Sequence, residues 1–139
     1  MAEPLEPGQA ITAADLERAA AARIEKGDVV LIRTGWGRYW NEPRRMAGPR
    51  APGLNLEAAQ WLSARGIFAA GSDTLAFEAT PTSRFPVHIH LLVEQGIHIM
   101  EAMNLEELAR DGVCEFLFVA SPLKIAGGTA SPIRPFAMV

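Results

Sequence analysis

The residues best equipped for chemistry are His88 and Glu101. Each interrupts an otherwise apolar stretch: Pro86-Val87-His88 leads to Leu91-Leu92, and Ile97-His98-Ile99-Met100 leads to Glu101. Leu91 and Leu92 lie at i+3 and i+4 from His88, so a helix there turns the imidazole inward. If residues 97–101 form a strand, alternation puts Ile97, Ile99 and Glu101 on one face and His98 and Met100 on the other. A carboxylate among apolar neighbours needs a metal, an arginine or good donors, because burying it unpaired costs roughly several kcal/mol. A strand end at the surface would satisfy it with water instead. A lone inward histidine is more often a hydrogen-bonded core residue than a metal ligand. The pattern alone leaves both readings open. His90 and His98 point elsewhere and are read as surface or supporting residues.

Asp73 sits in Gly71-Ser72-Asp73-Thr74, just after a short apolar run. The carboxyl ends of strands in open α/β sheets commonly carry binding groups, and an aspartate in a turn also caps backbone donors. Trp36 and Trp40 flank a glycine-containing turn and could line a pocket or simply pack. Cys114, Phe116 and Phe118 alternate along an expected strand, which reads as a small core cysteine rather than a nucleophile. Ser131 lacks a nucleophile-elbow context, and neither Gly35-x-Gly37 nor Gly127-Gly128-Thr129 continues as a phosphate loop. Catalytic residues are therefore not assigned.

The elements that must position these side chains follow an α/β alternation. Thr12 and Asp15 predict a capped helix over Ala13 to Ile24, and Val29-Val30-Leu31-Ile32 predicts a central strand buried on both faces. Asn41 to Pro52 reads as a long loop. Asn55 caps a helix that stops near Gly66, and Ile67 to Gly71 is a short strand. A helix from Pro86 to Gln95, a strand Ile97 to Glu101, a helix Leu105 to Arg110, a strand Glu115 to Ala120 and a short final strand complete the pattern. One domain spanning 1–139 is expected.

Composition narrows the function. Thirteen basic and sixteen acidic residues give a net charge of −3 without a basic block, which argues against a nucleic-acid partner. No apolar run approaches the roughly 20 residues that cross a bilayer, so no membrane association is expected. The single Cys114 and a start lacking a signal-like segment predict a cytoplasmic protein.

Several stretches resemble the metal-dependent cyclase family, which includes kynurenine formamidase and isatin hydrolase. They are Gly27-Asp28-Val29-Val30-Leu31-Ile32-Arg33-Thr34-Gly35-Trp36, Gly71-Ser72-Asp73-Thr74, Pro86-Val87-His88 with Leu91-Leu92, Gly96-Ile97 before Glu101, Cys114 to Phe118, and Pro122-Leu123-Lys124-Ile125 with Gly128 to Pro135. They occur in the family's order and span nearly the whole chain. The resemblance implies a swivelling β/α/β-type cyclase fold, incomplete, with a mixed sheet and flanking helices. It implies His88 and Glu101 as ligands of a divalent metal, zinc or manganese; Asp73, Trp36 and Trp40 are, from their own sequence context, candidates for lining or supporting the pocket. The implied activity is metal-dependent hydrolysis of an amide, ester or lactone, of the N-formyl aromatic amine type.

Two features depart from that pattern. Ala130 stands where the family usually has Gly, and Ala102-Met103 where Asn-Leu is common. More importantly, the chain has three histidines and no His-x-x-x-His-x-Asp segment, whereas catalytic zinc commonly takes three protein ligands. The expectation is therefore a C-terminal portion that needs ligands from a missing N-terminal half, supplied by a complementing N-terminal polypeptide or by an upstream segment. The alternative is a noncatalytic truncated homologue acting as a binding or oligomerisation module. A homo-oligomer is expected in either case, because apolar surface freed by truncation would self-associate.

Overall fold

Thr12 opens the first helix with a reciprocal cap. Its hydroxyl accepts from the Asp15 amide at 3.2 Å, and the Asp15 carboxylate accepts from the Thr12 amide at 2.9 Å, satisfying donors the first turn leaves orphaned. The structure, a computed structural model, describes residues 3–20 and 22–139. The chain order is β1 (Ala10–Ile11), α1 (Ala13–Ala19), β2 (Val29–Ile32), a 3-10 turn (Trp36–Tyr39), α2 (Pro43–Met46), β3 (Gly53–Leu54), α3 (Leu56–Ser63) and β4 (Ala69–Ser72). It continues with α4 (Pro86–His88) running into a π-wound segment (Ile89–Glu94), then β5 (His98–Met100), α5 (Glu106–Arg110), β6 (Leu117–Val119) and β7 (Phe136–Met138).

Helix α1 ends at Ala19 rather than near Ile24; Ala21, within the expected span, lies outside the described residues. Only Leu16 of α1 is buried, and alanine propensity without an apolar stripe does not sustain a long helix. The expected long loop is interrupted by α2, which Pro43 starts at a position where its missing N–H costs nothing. Helix α3 is capped by Asn55, whose Oδ1 accepts from the Ala58 amide at 2.9 Å. It buries Ala58, Ala59 and Leu62 against the core that also holds Leu54, Phe77 and Leu91.

Strands β2, β4 and β5 form a parallel sheet in the order β2-β4-β5. The strand expected at its centre, Val29–Ile32, is instead an edge strand and half-buried along its length. The centre belongs to β4, Ala-Ala-Gly-Ser, whose four residues are all buried. Small side chains let neighbours close over it: a Cβ on Gly71 would stand 2.5 Å from Met103 Sδ and 2.9 Å from Leu31 Cδ2. A β-branched apolar run reports burial but not strand order, which is a non-local property.

Strands β1 and β3 pair in parallel, and an isolated parallel bridge joins Leu54 to Glu78. Strands β6 and β7 form a separate antiparallel ribbon. Its register places Leu117, Val119, Phe136 and Met138 on one face, and Leu117, Phe136 and Met138 of that face are more than half exposed. Cys114, expected in the core, is exposed and precedes the strand, its thiol facing the Gly112 carbonyl at 3.6 Å. Alternation misplaced it because the strand begins only at Leu117, so the period of two does not reach back to residue 114. Among the described residues no helix is long and apolar enough to cross a membrane.

Candidate functional site

Because β2, β4 and β5 run parallel, Thr34, Asp73 and Glu101, which follow them, gather at one edge of the sheet. Glu101 comes immediately after β5, and His88 comes from the end of α4. The structure brings these two together: His88 Nε2 stands 3.2 Å from Glu101 Oε1. On the other side of the ring, Nδ1 stands 2.7 Å from Glu78 Oε2, and the same oxygen accepts the His88 amide at 3.0 Å. Glu101 Oε1 also accepts from the Phe77 amide at 2.8 Å. Adjacent residues of one segment, Phe77 and Glu78, thus hold one member each of the pair. The Glu78 side chain is 3% exposed, against 25% for His88 and 33% for Glu101.

The two carboxylates hold the His88 imidazole protonated to a pH above its usual 6.5. The hydrogen bond to Glu101 is the largest cause, opposed by burial and aided by Glu78. A raised folded-state value means the folded protein binds this proton more tightly than the unfolded chain does. The resulting stability is fully present below about pH 6.5 and is lost as pH rises through the higher folded value. In the metal-free protein, urea midpoints should fall between mildly acidic and alkaline pH, and His88→Gln should remove that part of the slope. An unchanged slope in the variant would contradict the assignment.

The pair suits a cation by donor type, an imidazole nitrogen facing a carboxylate oxygen. In a tetrahedral zinc site two atoms each about 2.0–2.2 Å from the ion stand roughly 3.3 to 3.6 Å apart, so the observed 3.2 Å needs a slight opening to admit one. Among the described residues no group of three or more His, Cys, Asp or Glu is placed to hold an ion. The residues present therefore fit part of a site, with His88 and Glu101 as its two donors.

Asp73 lies elsewhere at the same edge and is fully buried. Its Oδ1 accepts from the Thr34 amide at 2.8 Å and the Thr34 hydroxyl at 2.7 Å, and Oδ2 accepts from the Gly37 amide at 3.1 Å. It clamps the turn after β2. Trp36 is buried edge-on against Tyr39 with ring centroids 5.2 Å apart, while Trp40 is 56% exposed. Beside the clamp, Arg33 makes a two-pronged pair with Glu106, both bonds 2.9 Å.

His98 is exposed and rests edge-on against Phe68. His90 corrects the expectation of a surface or supporting residue: it is buried, with Nε2 2.9 Å from Ser63 Oγ and Nδ1 2.8 Å from Glu94 Oε2. It joins α3 to the π-wound segment. That winding also turns Leu92 out to 45% exposure while Leu91 stays buried, since i→i+5 bonding changes which side chains share a face.

Among the described residues, two that are not glycine adopt positive φ, Phe85 at 48° and Ala102 at 55°. One precedes His88 by three positions and the other follows Glu101 directly. Such conformations cost energy and concentrate at functional sites. Asparagine tolerates this region better than alanine, so Ala102→Asn should raise stability by about 0.5–1 kcal/mol. Thermal unfolding checks this, and a lower midpoint would show that the side chain, not the backbone, governs position 102.

Sequence reasoning missed Glu78. The available signal was a lone carboxylate in Leu75-Ala76-Phe77-Glu78-Ala79, since an acid in an apolar stretch is seldom buried without a partner.

The fold that carries this pair is one that known proteins share. The family model described as "Putative cyclase" matches residues 1–79, more than half of the chain. The chain belongs to the cyclase family. It is 30% identical over 138 residues to isatin hydrolase of Roseibium aggregatum, covering 91% of this chain and 51% of that protein. It is 29% identical over 133 residues to kynurenine formamidase of Bacillus thuringiensis, covering 92% and 60%. The chain thus spans between half and three fifths of the length of these curated relatives.

Among solved structures, a novel cyclase superposes with a TM-score of 0.87 at 33% identity, over 97% of this chain and 48% of that one. A predicted metal-dependent hydrolase from Bacillus stearothermophilus superposes with a TM-score of 0.73 at 27% identity, over 93% and 57%. The mixed α/β architecture with parallel and antiparallel pairing is the cyclase fold.

Proposed function

We propose that this chain supplies His88 and Glu101 to the divalent-cation site of a cyclase-family hydrolase acting on an amide, ester or lactone carbonyl, with an N-formyl aromatic amine as the substrate type. The observation that carries this reading is the approach of His88 Nε2 to Glu101 Oε1, 3.2 Å apart at the carboxyl edge of the parallel sheet. A bound zinc or manganese ion would lower the pKa of water and polarise the carbonyl. The relatives named isatin hydrolase and kynurenine formamidase support hydrolysis as the reaction class.

The protein's own part is to hold the two donors and to shape the ground beside them. Glu101 lines a groove of about 480 Å³ that mixes apolar walls, Leu31, Phe118 and Phe136 among them, with the polar Asn104, Glu107 and Asp111; the apolar part could seat an aromatic ring. A larger groove of about 610 Å³, between the end of α1, β2, α5 and β6, includes neither His88 nor Glu101. We assign it no part in the chemistry. The remaining ligands would come from another polypeptide or from an upstream segment, since two donors fall short of the three that catalytic zinc commonly takes.

The test is metal analysis of the purified protein together with assay on an N-formyl aromatic amine and a lactone, with and without added zinc or manganese. Metal-dependent turnover, lost in Glu101→Gln, is the expected result once the remaining ligands are supplied. Turnover indifferent to metal would overturn the reading.

A second reading is favoured by one observation, the apolar face of the β6–β7 ribbon exposing Leu117, Phe136 and Met138. A two-stranded ribbon is marginal in water unless something packs on it. In this reading the chain is a noncatalytic module that self-associates through that face. Sedimentation should then show a homo-oligomer that Leu117→Lys dissociates; a monomer at high concentration excludes it.

A further inference from the structure

The least exposed member of the Glu78–His88–Glu101 row is not one of its two cation donors. Glu78 is 2% exposed, yet its backbone and its carboxylate are both tightly placed. On the backbone side, β3 grips the segment: the Leu54 amide donates to the Phe77 carbonyl at 3.0 Å, and the Ala79 amide donates to the Leu54 carbonyl at 3.1 Å. The approach is so close that a Cβ on Gly53 would lie 2.4 Å from the Glu78 carbonyl carbon. Only glycine fits there. On the side-chain side, Oε2 meets both the amide and Nδ1 of His88. An ionised carboxylate can only accept, so Nδ1 must carry the hydrogen in that contact.

A neutral imidazole has one N–H to give, and two carboxylates compete for it. Glu78 is nearer at 2.7 Å and almost dry, whereas Glu101 is at 3.2 Å, one-third exposed, and already accepts the Phe77 amide. The shorter contact in the lower dielectric is the stronger one. We propose that Glu78 is a positioning residue: it fixes neutral His88 as the Nδ1–H tautomer, so that the Nε2 lone pair is directed at Glu101 Oε1, where the cation is held. Its functional meaning rests on the cation-site reading above, but the tautomer itself does not.

The experiment is long-range proton–nitrogen NMR of the His88 ring in the metal-free full chain at alkaline pH, above the imidazole's titration, followed by zinc affinity from chelator competition. Wild type should show Nδ1–H, and Glu78→Ala should shift the ring toward Nε2–H and weaken zinc binding by about 10–100-fold. Glu78→Gln, whose amide oxygen can still accept from Nδ1–H, should keep the wild-type tautomer with an intermediate loss of affinity. Nε2–H in wild type overturns the proposal without need of any variant, as does a tautomer unchanged in Glu78→Ala. If Glu78→Ala fails to fold, the wild-type ring and Glu78→Gln still decide. Should wild type take up no zinc even with the missing ligands supplied, while its ring is Nδ1–H, the hydrolase reading fails and the tautomer assignment stands.

Discussion

Replacing Asp73 by asparagine should destabilise the protein by roughly 3 kcal/mol or more, because a buried donor left without its acceptor carries its full desolvation cost. The carboxylate receives three hydrogen bonds on two oxygens, from the Thr34 amide and hydroxyl and from the Gly37 amide. Asparagine offers one oxygen. If that oxygen keeps both Thr34 contacts, its NH2 faces the Gly37 N–H, donor against donor. Thr34 and Asp73 are essentially inaccessible to water and Gly37 is half-buried, so solvent makes good the loss only in part. Urea denaturation of the variant measures it directly. A change below about 0.5 kcal/mol, the usual size for surface substitutions, would mean that the clamp contributes little. The prediction also separates roles: Asp73→Asn should weaken folding without altering the His88 tautomer, since Asp73 is engaged with the β2 turn rather than with the imidazole.

Phe77→Ala should cost about 3–5 kcal/mol, the range for deleting a large buried aromatic. The ring is fully buried in the core beside Leu54, Leu62 and Val87. This residue joins core to site, because its amide donates to Glu101 and its neighbour Glu78 meets His88. The cavity left by the ring would loosen the segment that holds both carboxylates. Calorimetry should therefore show a lowered midpoint accompanied by a changed His88 environment. Phe77→Leu, which leaves less empty volume, should recover most of both. A destabilised Phe77→Ala whose His88 resonances match wild type would uncouple the core from the site.

How far the sequence could be read follows from the range of the interactions involved. The Thr12 and Asn55 caps act over three residues, so their helix starts were legible from residue type alone. The parallel α/β alternation was likewise visible in apolar runs punctuated by glycine. Strand order was not, since β4 owes its central place to small residues that admit Leu31 and Met103 from elsewhere in the chain. At the site, His88 and Glu101 stood out as polar groups in apolar stretches. Their partner Glu78 lies ten residues before His88 on an extended segment, and only the bridge to β3 sets its direction. Asp73 could be placed at a strand end by pattern, but whether it faced a ligand or the Thr34 turn depended on how β2 and β4 pair. Cys114 shows the opposite failure, because alternation was extended to a residue that lies before β6 begins.

The central claim, that His88 and Glu101 face each other to hold a cation, is tested most directly by titrating manganese into the isotope-labelled chain and following paramagnetic broadening residue by residue. The account predicts that signals of His88, Glu101 and the Phe77 amide broaden first and together, and that Glu101→Gln or His88→Gln abolishes the effect at those positions. Broadening that begins at the exposed acidic residues of α5, with His88 unaffected until the end, would contradict it.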